Sequence, residues 1–215
     1  MQYGIFRQIS GKCGDVSSLA LALDSCETNA NVSEQLHVFL RPLGIASLSC
    51  FKIPERGETL NECTYLSSHS QAWTDRYTEK KYLINDPLIL YAKRSSKAAR
   101  WSDIVGHDRL SPAEVLIHRE RLTFGDCHGV VTPMVGPRGY KAVLNCGGRI
   151  PIDLDDISLI GAASIIAHHR LLALAQRLEQ NEASLTCREI ECLKWRLRAN
   201  PIGRSDRLST SAIRP

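Results

Sequence analysis

Two pairs of β-prone runs, each joined by a turn of hairpin length, constrain this chain more than any other feature. Ile45 to Ile53 leads through Pro54-Glu-Arg-Gly57 into Thr59 to Leu66, and Gly129 to Met134 leads through Gly136-Pro-Arg-Gly139 into Lys141 to Cys146. Turns of that length join antiparallel neighbours, so both pairs read as hairpins. Helical patterns lie before, between and after them. Leu19 to Leu40 reads as one or two helices, with Leu36, Phe39 and Leu40 at helical spacing and Pro42 and Gly44 closing the run. Ala72 to Tyr82 reads as a helix on which Trp73 and Tyr77 share a face. Asp86-Pro87 breaks it, because proline disfavours the helical conformation in the residue before it. Leu88 to Arg100 then resumes helically, and Trp101-Ser102-Asp103 opens another short element. Ser111-Pro112-Ala113-Glu114 carries a serine cap, a first-turn proline and the glutamate that closes a capping box.

Asp153-Leu-Asp-Asp156 opens the longest helix, from about Ile157 to Gln180, which is apolar on more than one face. Such a helix packs against its own domain and against something else. A second copy is the economical candidate, with Ile157, Ile160, Ile165, Leu171 and Leu172 as the contact residues. The expected fold is α/β, an α-β-α sandwich with a central antiparallel sheet between helical layers.

Bulk properties narrow the function. The chain has 215 residues, of which 43% are apolar and 23% charged, so a globular core is expected. Its net charge of +4 is too small to argue for nucleic acid. The first ten residues lack the pattern of a secretory signal, and no uninterrupted apolar run approaches the roughly 20 residues that span a bilayer. A cytoplasmic protein with no membrane association is expected. The eight cysteines include no C-x-x-C pair, so neither a zinc site nor any other metal is expected, and reduced, partly buried thiols are the simpler reading. Catalysis is not expected either. Cys127 and His128 are adjacent on a strand and point to opposite faces, and His168 and His169 diverge by about 100 degrees on a helix.

Trp73, Tyr77, Asp86 and Trp101 lie in one stretch among apolar positions. An indole donates one hydrogen bond, a carboxylate only accepts and a phenol does either, which suits a small ligand carrying both a carbonyl and an amide N–H. A plainer arrangement uses the same residues: the tryptophans as core aromatics and Asp86 as a helix cap. Residue type alone favours the plainer one.

The order and spacing of several pieces bring in a resemblance. Trp73-x-x-x-Tyr77, Asp86-Pro87 and Trp101 are followed by Phe124-Gly125-Asp126-Cys127-His128-Gly129-Val130-Val131-Thr132-Pro133, Gly136-Pro137-Arg138-Gly139 and Pro151-Ile152-Asp153-Leu154. Together they resemble the autoinducer-binding domain of LuxR-type quorum-sensing regulators, most closely the rhizobial TraR-like branch. The resemblance implies an N-acyl-homoserine lactone as ligand, no cofactor, and dimers. It implies that Trp73 donates to the lactone carbonyl, Asp86 accepts the ligand's amide N–H, Trp101 walls the ring and Tyr77 lies along the acyl chain. Asn145 falls where the family often has a Ser or Thr that bonds a ligand carbonyl. His69 stands where a Tyr is usual, and Asp126 where a Leu is usual. A carboxylate buried at that second position is costly unless paired.

Leu185 to Trp195 resembles the first helix of the family's helix-turn-helix, with Thr186 as cap and Arg188 and Glu189 in the family pattern. The rest of that domain does not follow. From Arg196 the chain carries Arg198, Arg204, Arg207 and Arg214 against a single acid, Asp206, without helical periodicity. Permissible codons for 196–215, read one nucleotide out of frame, can spell Ala-Ala-Ala-Gly-Lys-Ser-Asn-Trp-Glu-Ile-Gly, the missing continuation. The expected organisation is a ligand-binding and dimerisation domain over 1–176, a helical linker over 177–184, a helix-turn-helix remnant over 185–195 and an out-of-frame tail over 196–215. Specific DNA binding by this chain is not expected, since half-site recognition takes two complete reading arms. A homodimer or a heterodimer with a full-length relative is expected, and in the heterodimer the chain would act as a dominant-negative partner or a signal sink. The alternatives are a transcriptional regulator whose gene is frameshifted in this strain, or a product without a role.

Overall fold

The computed structural model describes residues 15–106 and 110–183. Residues 185–195, expected to be a helix-turn-helix remnant with Thr186, Arg188 and Glu189, and the expected tail over 196–215 lie outside the described residues. Residues up to Leu174 group as one compact unit and those from Ala175 as a second, of which only helical residues 175–183 are described.

Helices α1 (Val16–Asp24) and α2 (Asn29–Leu40) come first, the second opened by Thr28, whose side chain accepts from the Asn31 amide. Gly44, at φ +80°, ends the 3-10 turn that follows α2 and turns the chain into β1 (Ile45–Lys52). The chain then forms α3 (Leu60–Cys63), β2 (Thr64–Ser67), α4 (Gln71–Glu79), α5 (Pro87–Arg94), β3 (Ala99–Arg100), α6 (Trp101–Val105) and α7 (Pro112–Thr123). Strands β4 (His128–Val135) and β5 (Lys141–Gly148) and the long α8 (Asp156–Ala183) complete it. The five strands form one antiparallel sheet in the order β2-β1-β5-β4-β3.

The two-residue period of the strands divides the core. Leu48, Cys50, Leu66, Val130, Leu144 and Cys146 pack with α1, α2 and α8, whereas Phe51, Val131 and Val143 pack with α5 and α6. The expected sandwich is therefore present, with the hairpins β1–β2 and β4–β5 joined through β1 and β5.

Two local expectations are corrected. Thr59 to Leu66 is not a continuous strand, because Thr59 and Glu62 form a reciprocal capping box that winds 60–63 into a helical turn. Leu88 to Arg100 is not one helix: Ser95 is extended, at φ −122° and ψ 153°, and Ala99–Arg100 pairs with Val130 and Val131 as an edge strand. The expected capping box of α7, with Ser111 and Glu114, is present.

Among the described residues α8 is the one helix long and apolar enough to cross a membrane, over Asp156–Leu178. Ile160, Ala163, Ala167 and Leu171 face the chain's own core instead and are fully buried there. This corrects the expected dimer face, since Ile160 and Leu171 have no surface left to offer a partner. Ile165 is 54% exposed, and Ile157 and Leu172 are half-buried.

Where α8 meets the sheet, Tyr65 and Tyr140 join their hydroxyls at 3.1 Å and Tyr140 reaches Nε2 of His168 at 2.9 Å. Burial, helped by the neighbouring His169, pushes the His168 imidazole down to about 4. The unfolded chain takes up that proton near 6.5, so between those values it binds more protons than the native state and stability falls as pH falls. We expect His168→Asn to reduce the loss of stability between pH 7 and pH 5 by about 2 kcal/mol. Urea unfolding of both proteins at the two pH values measures it; equal losses would show that His168 is not the group responsible.

Candidate functional site

A cavity of about 310 Å³ lies between the α5–α6 face of the sheet and the helices over it. Ser70 caps α4, accepting from the Trp73 amide, and this sets Trp73 and Tyr77 on one buried face. Their rings meet edge-on at 5.5 Å. Asp86 is the N-cap of α5: Oδ1 accepts from the Leu88 amide at 2.9 Å, with Pro87 in the first turn. Trp101 begins α6 and is 1% exposed. Its ring rests on glycines: a Cβ at Gly129 would lie 2.5 Å from it, and one at Gly147 2.7 Å. Ser49 and Asn145 face each other across β1 and β5 and line the cavity from the sheet.

All six residues expected to contact a ligand, His69, Trp73, Tyr77, Asp86, Trp101 and Asn145, line this one cavity. Asp86 is at once the helix cap of the plainer reading and a lining residue, so the two readings are not exclusive. His69 lines the cavity and also contacts Asp126, with Nδ1 to Oδ2 at 3.3 Å, while the Ser47 hydroxyl donates to the same oxygen at 2.8 Å. Burial alone raises the Asp126 pKa, but the bonds from His69 and Ser47 outweigh it and hold the carboxyl below its usual range. The carboxylate that stands in place of a leucine is thus paired.

Sequence reasoning missed Arg121. This α7 residue is buried, donates from Nη2 to Asp86 Oδ2 at 2.6 Å, and lies over the Trp101 and Trp73 rings at 5.0 and 5.8 Å. The one signal was its position four residues after Ile117, itself 2% exposed, which puts both on the same helix face. The Tyr77 hydroxyl donates to the same Asp86 oxygen at 2.9 Å. Burial first, and the carboxylate second, push that phenol well above its ordinary value, so it stays a neutral donor. Phe51, Leu60 and Leu88 add apolar wall.

Chemically the cavity is an apolar chamber with a few convergent polar groups, the usual form of a small-molecule site. Among the described residues no group of three or more His, Cys, Asp or Glu side chains is placed to hold a metal. Cys50 and Cys146 are buried with thiols pushed above their ordinary range by burial, Cys146 to about 12, so they serve as core residues.

The family model of the autoinducer binding domain matches residues 28–174. The chain belongs to that family. Over 131 residues this autoinducer-binding domain is 26% identical to the protein y4qH of Sinorhizobium fredii, an overlap of 60% of this chain and 40% of that one. It is also 26% identical to the transcriptional activator protein TraR of Rhizobium radiobacter, over 61% of this chain and 58% of that one. The chain thus spans about half the length of the curated relatives it matches. The solved structure of CepR2 from Burkholderia cenocepacia, an N-acylhomoserine lactone dependent LuxR family transcription factor, superposes with a TM-score of 0.59 at 20% identity. It covers 76% of this chain and 96% of that one, and shows that the fold is shared.

Proposed function

We propose that residues 1–176 form a cytoplasmic signal-sensing and dimerising unit whose cavity holds an N-acyl-homoserine lactone. The observation that supports this reading best is the convergence of Trp73, Tyr77, Asp86, Trp101 and Asn145, drawn from four separate parts of the chain, on a single cavity. Trp73 donates to the lactone carbonyl, Asp86 accepts the amide N–H on its remaining lone pair, Trp101 walls the ring, and Tyr77 and Phe51 border the acyl chain. Asn145 and His69 supply the further polar contacts. Ile165, with Ile157 and Leu172 beside it, is the part of α8 left for a second copy or for a full-length relative. Residues 177–184 serve as a helical linker, 185–195 as a remnant of the DNA-reading domain and 196–215 as an unrelated tail. Paired with a full-length relative, the chain acts as a dominant-negative partner or a signal sink.

The test is the thermal stability of the full chain with a panel of N-acyl-homoserine lactones. A ligand at a hundredfold excess over its Kd stabilises the native state by about 2.7 kcal/mol, a rise in Tm of roughly 5–10 °C for a chain this long. No rise with any acyl length would sink the reading.

A further inference from the structure

Arg121 is more than the counter-ion of Asp86. An arginine that only balances a carboxylate uses its fork on both oxygens, as Arg76 does with Glu120, through Nε at 2.7 Å and Nη2 at 2.6 Å. Arg121 spends one arm on Asp86, while its Nη1 is buried without a partner. Its side chain is 6% exposed and lines the cavity. Two more unpartnered buried atoms belong to residues on the same cavity, Trp101 Nε1 and Asn145 Oδ1. Buried polar groups are rarely left unmet, so the cavity wall calls for two acceptors, at Arg121 and Trp101, and one donor, at Asn145.

The charges around Arg121 say which kind of acceptor. Asp86 pairs with the guanidinium directly, and Asp126 also feels its charge. A ligand carboxylate would be a third anion beside one cation, and would lose its hydration on entering. A carbonyl oxygen needs neither. We propose that Arg121 is a specificity-determining residue that donates from Nη1 to a carbonyl of an uncharged amide–ester headgroup, and that it makes the pocket discriminate against the same ligand in its carboxylate form. This rests on the signal-sensing reading and assigns it a recognition residue of its own.

The experiment is calorimetric binding of N-octanoyl-homoserine lactone and of its ring-opened acid to the full chain, wild type and two variants. Arg121→Lys keeps a cation beside Asp86 without the planar fork. The double variant Asp86→Asn/Arg121→Met removes both charges together, so that neither is left buried alone. The wild type is expected to bind the lactone at least about a hundredfold more tightly than the acid. Each variant that folds is expected to narrow that ratio by about tenfold or more. An unchanged ratio in a folded variant would reduce Arg121 to a counter-ion, and a wild type that binds the acid as well as the lactone would overturn the uncharged headgroup. If the wild type binds neither compound while other acyl lengths stabilise it, the same comparison is made with the strongest of those. If no lactone of any length binds, the sensing reading falls and this proposal with it.

Discussion

Asp86→Ala will unfold this domain more readily than loss of any single apolar wall contact, and will abolish ligand-dependent stabilisation. The carboxylate is 1% exposed and accepts three hydrogen bonds, from Leu88 N, Tyr77 Oη and Arg121 Nη2. Its removal leaves the Arg121 guanidinium buried with no anion in direct contact. Breaking one side of a buried pair costs about 3–5 kcal/mol, because the surviving charge stays out of water. For a chain of this length that is a fall in Tm of roughly 10 °C. The lost helix cap adds about 1 kcal/mol.

The partner variant separates these contributions. Arg121→Met in the Asp86→Ala background removes the stranded cation, so the double variant is expected to be more stable than Asp86→Ala alone, though it still lacks the cap. Thermal melts of the four proteins measure the coupling. If Arg121→Met made Asp86→Ala still less stable, the guanidinium would be held mainly by the Trp101 and Trp73 faces, and the ion pair would be secondary.

How far the site was legible depended on residue chemistry. Trp73, Tyr77 and Asp86 stood out because aromatic residues four apart and an Asp-Pro cap leave marks in a linear sequence. Residue type alone favoured core aromatics and a helix cap, and only the family resemblance pointed to a ligand site. Arg121 left almost none: within His118-Arg119-Glu120-Arg121 a charged residue reads as solvent face, and only its distance from Ile117 said otherwise. The long helix shows a related limit. Apolar residues around α8 indicated two packing faces, but not that Ile160 and Leu171 turn inward while Ile165 turns out, since that depends on the rotation of the helix against the sheet. Thr59 was read by the β-propensity of its neighbours, although its capping partner Glu62 was three residues away and prevailed. Asp126 could be recognised as needing a partner; that Ser47 and His69 supply it follows from the hairpin register and the α4 approach, which sequence does not encode locally.

The glycines beneath Trp101 give the second large effect. A methyl group at Gly129 would sit 2.2 Å from the Cys146 carbonyl oxygen and 2.5 Å from the indole, and one at Gly147 would sit 2.7 Å from both the indole and the Ser47 hydroxyl. Gly129→Ala is therefore expected to cost about 3 kcal/mol, at the upper end for overpacking, because a strand carbonyl paired in the sheet cannot withdraw. Gly147→Ala meets mostly side chains and is expected to cost about 1–2 kcal/mol while driving Trp101 into the cavity, which removes lactone-dependent stabilisation. The two respond differently to a smaller floor residue. In a Trp101→Leu background, Gly147→Ala should lose, in urea unfolding, the part of its cost that the indole imposes and keep the part from the Ser47 hydroxyl, whereas Gly129→Ala should keep most of its cost through the Cys146 carbonyl. Equal rescue at both positions would mean that the indole alone requires the glycines. No rescue at either would mean that the backbone approach of β4 and β5 sets them, and that Trp101 merely occupies the space they leave.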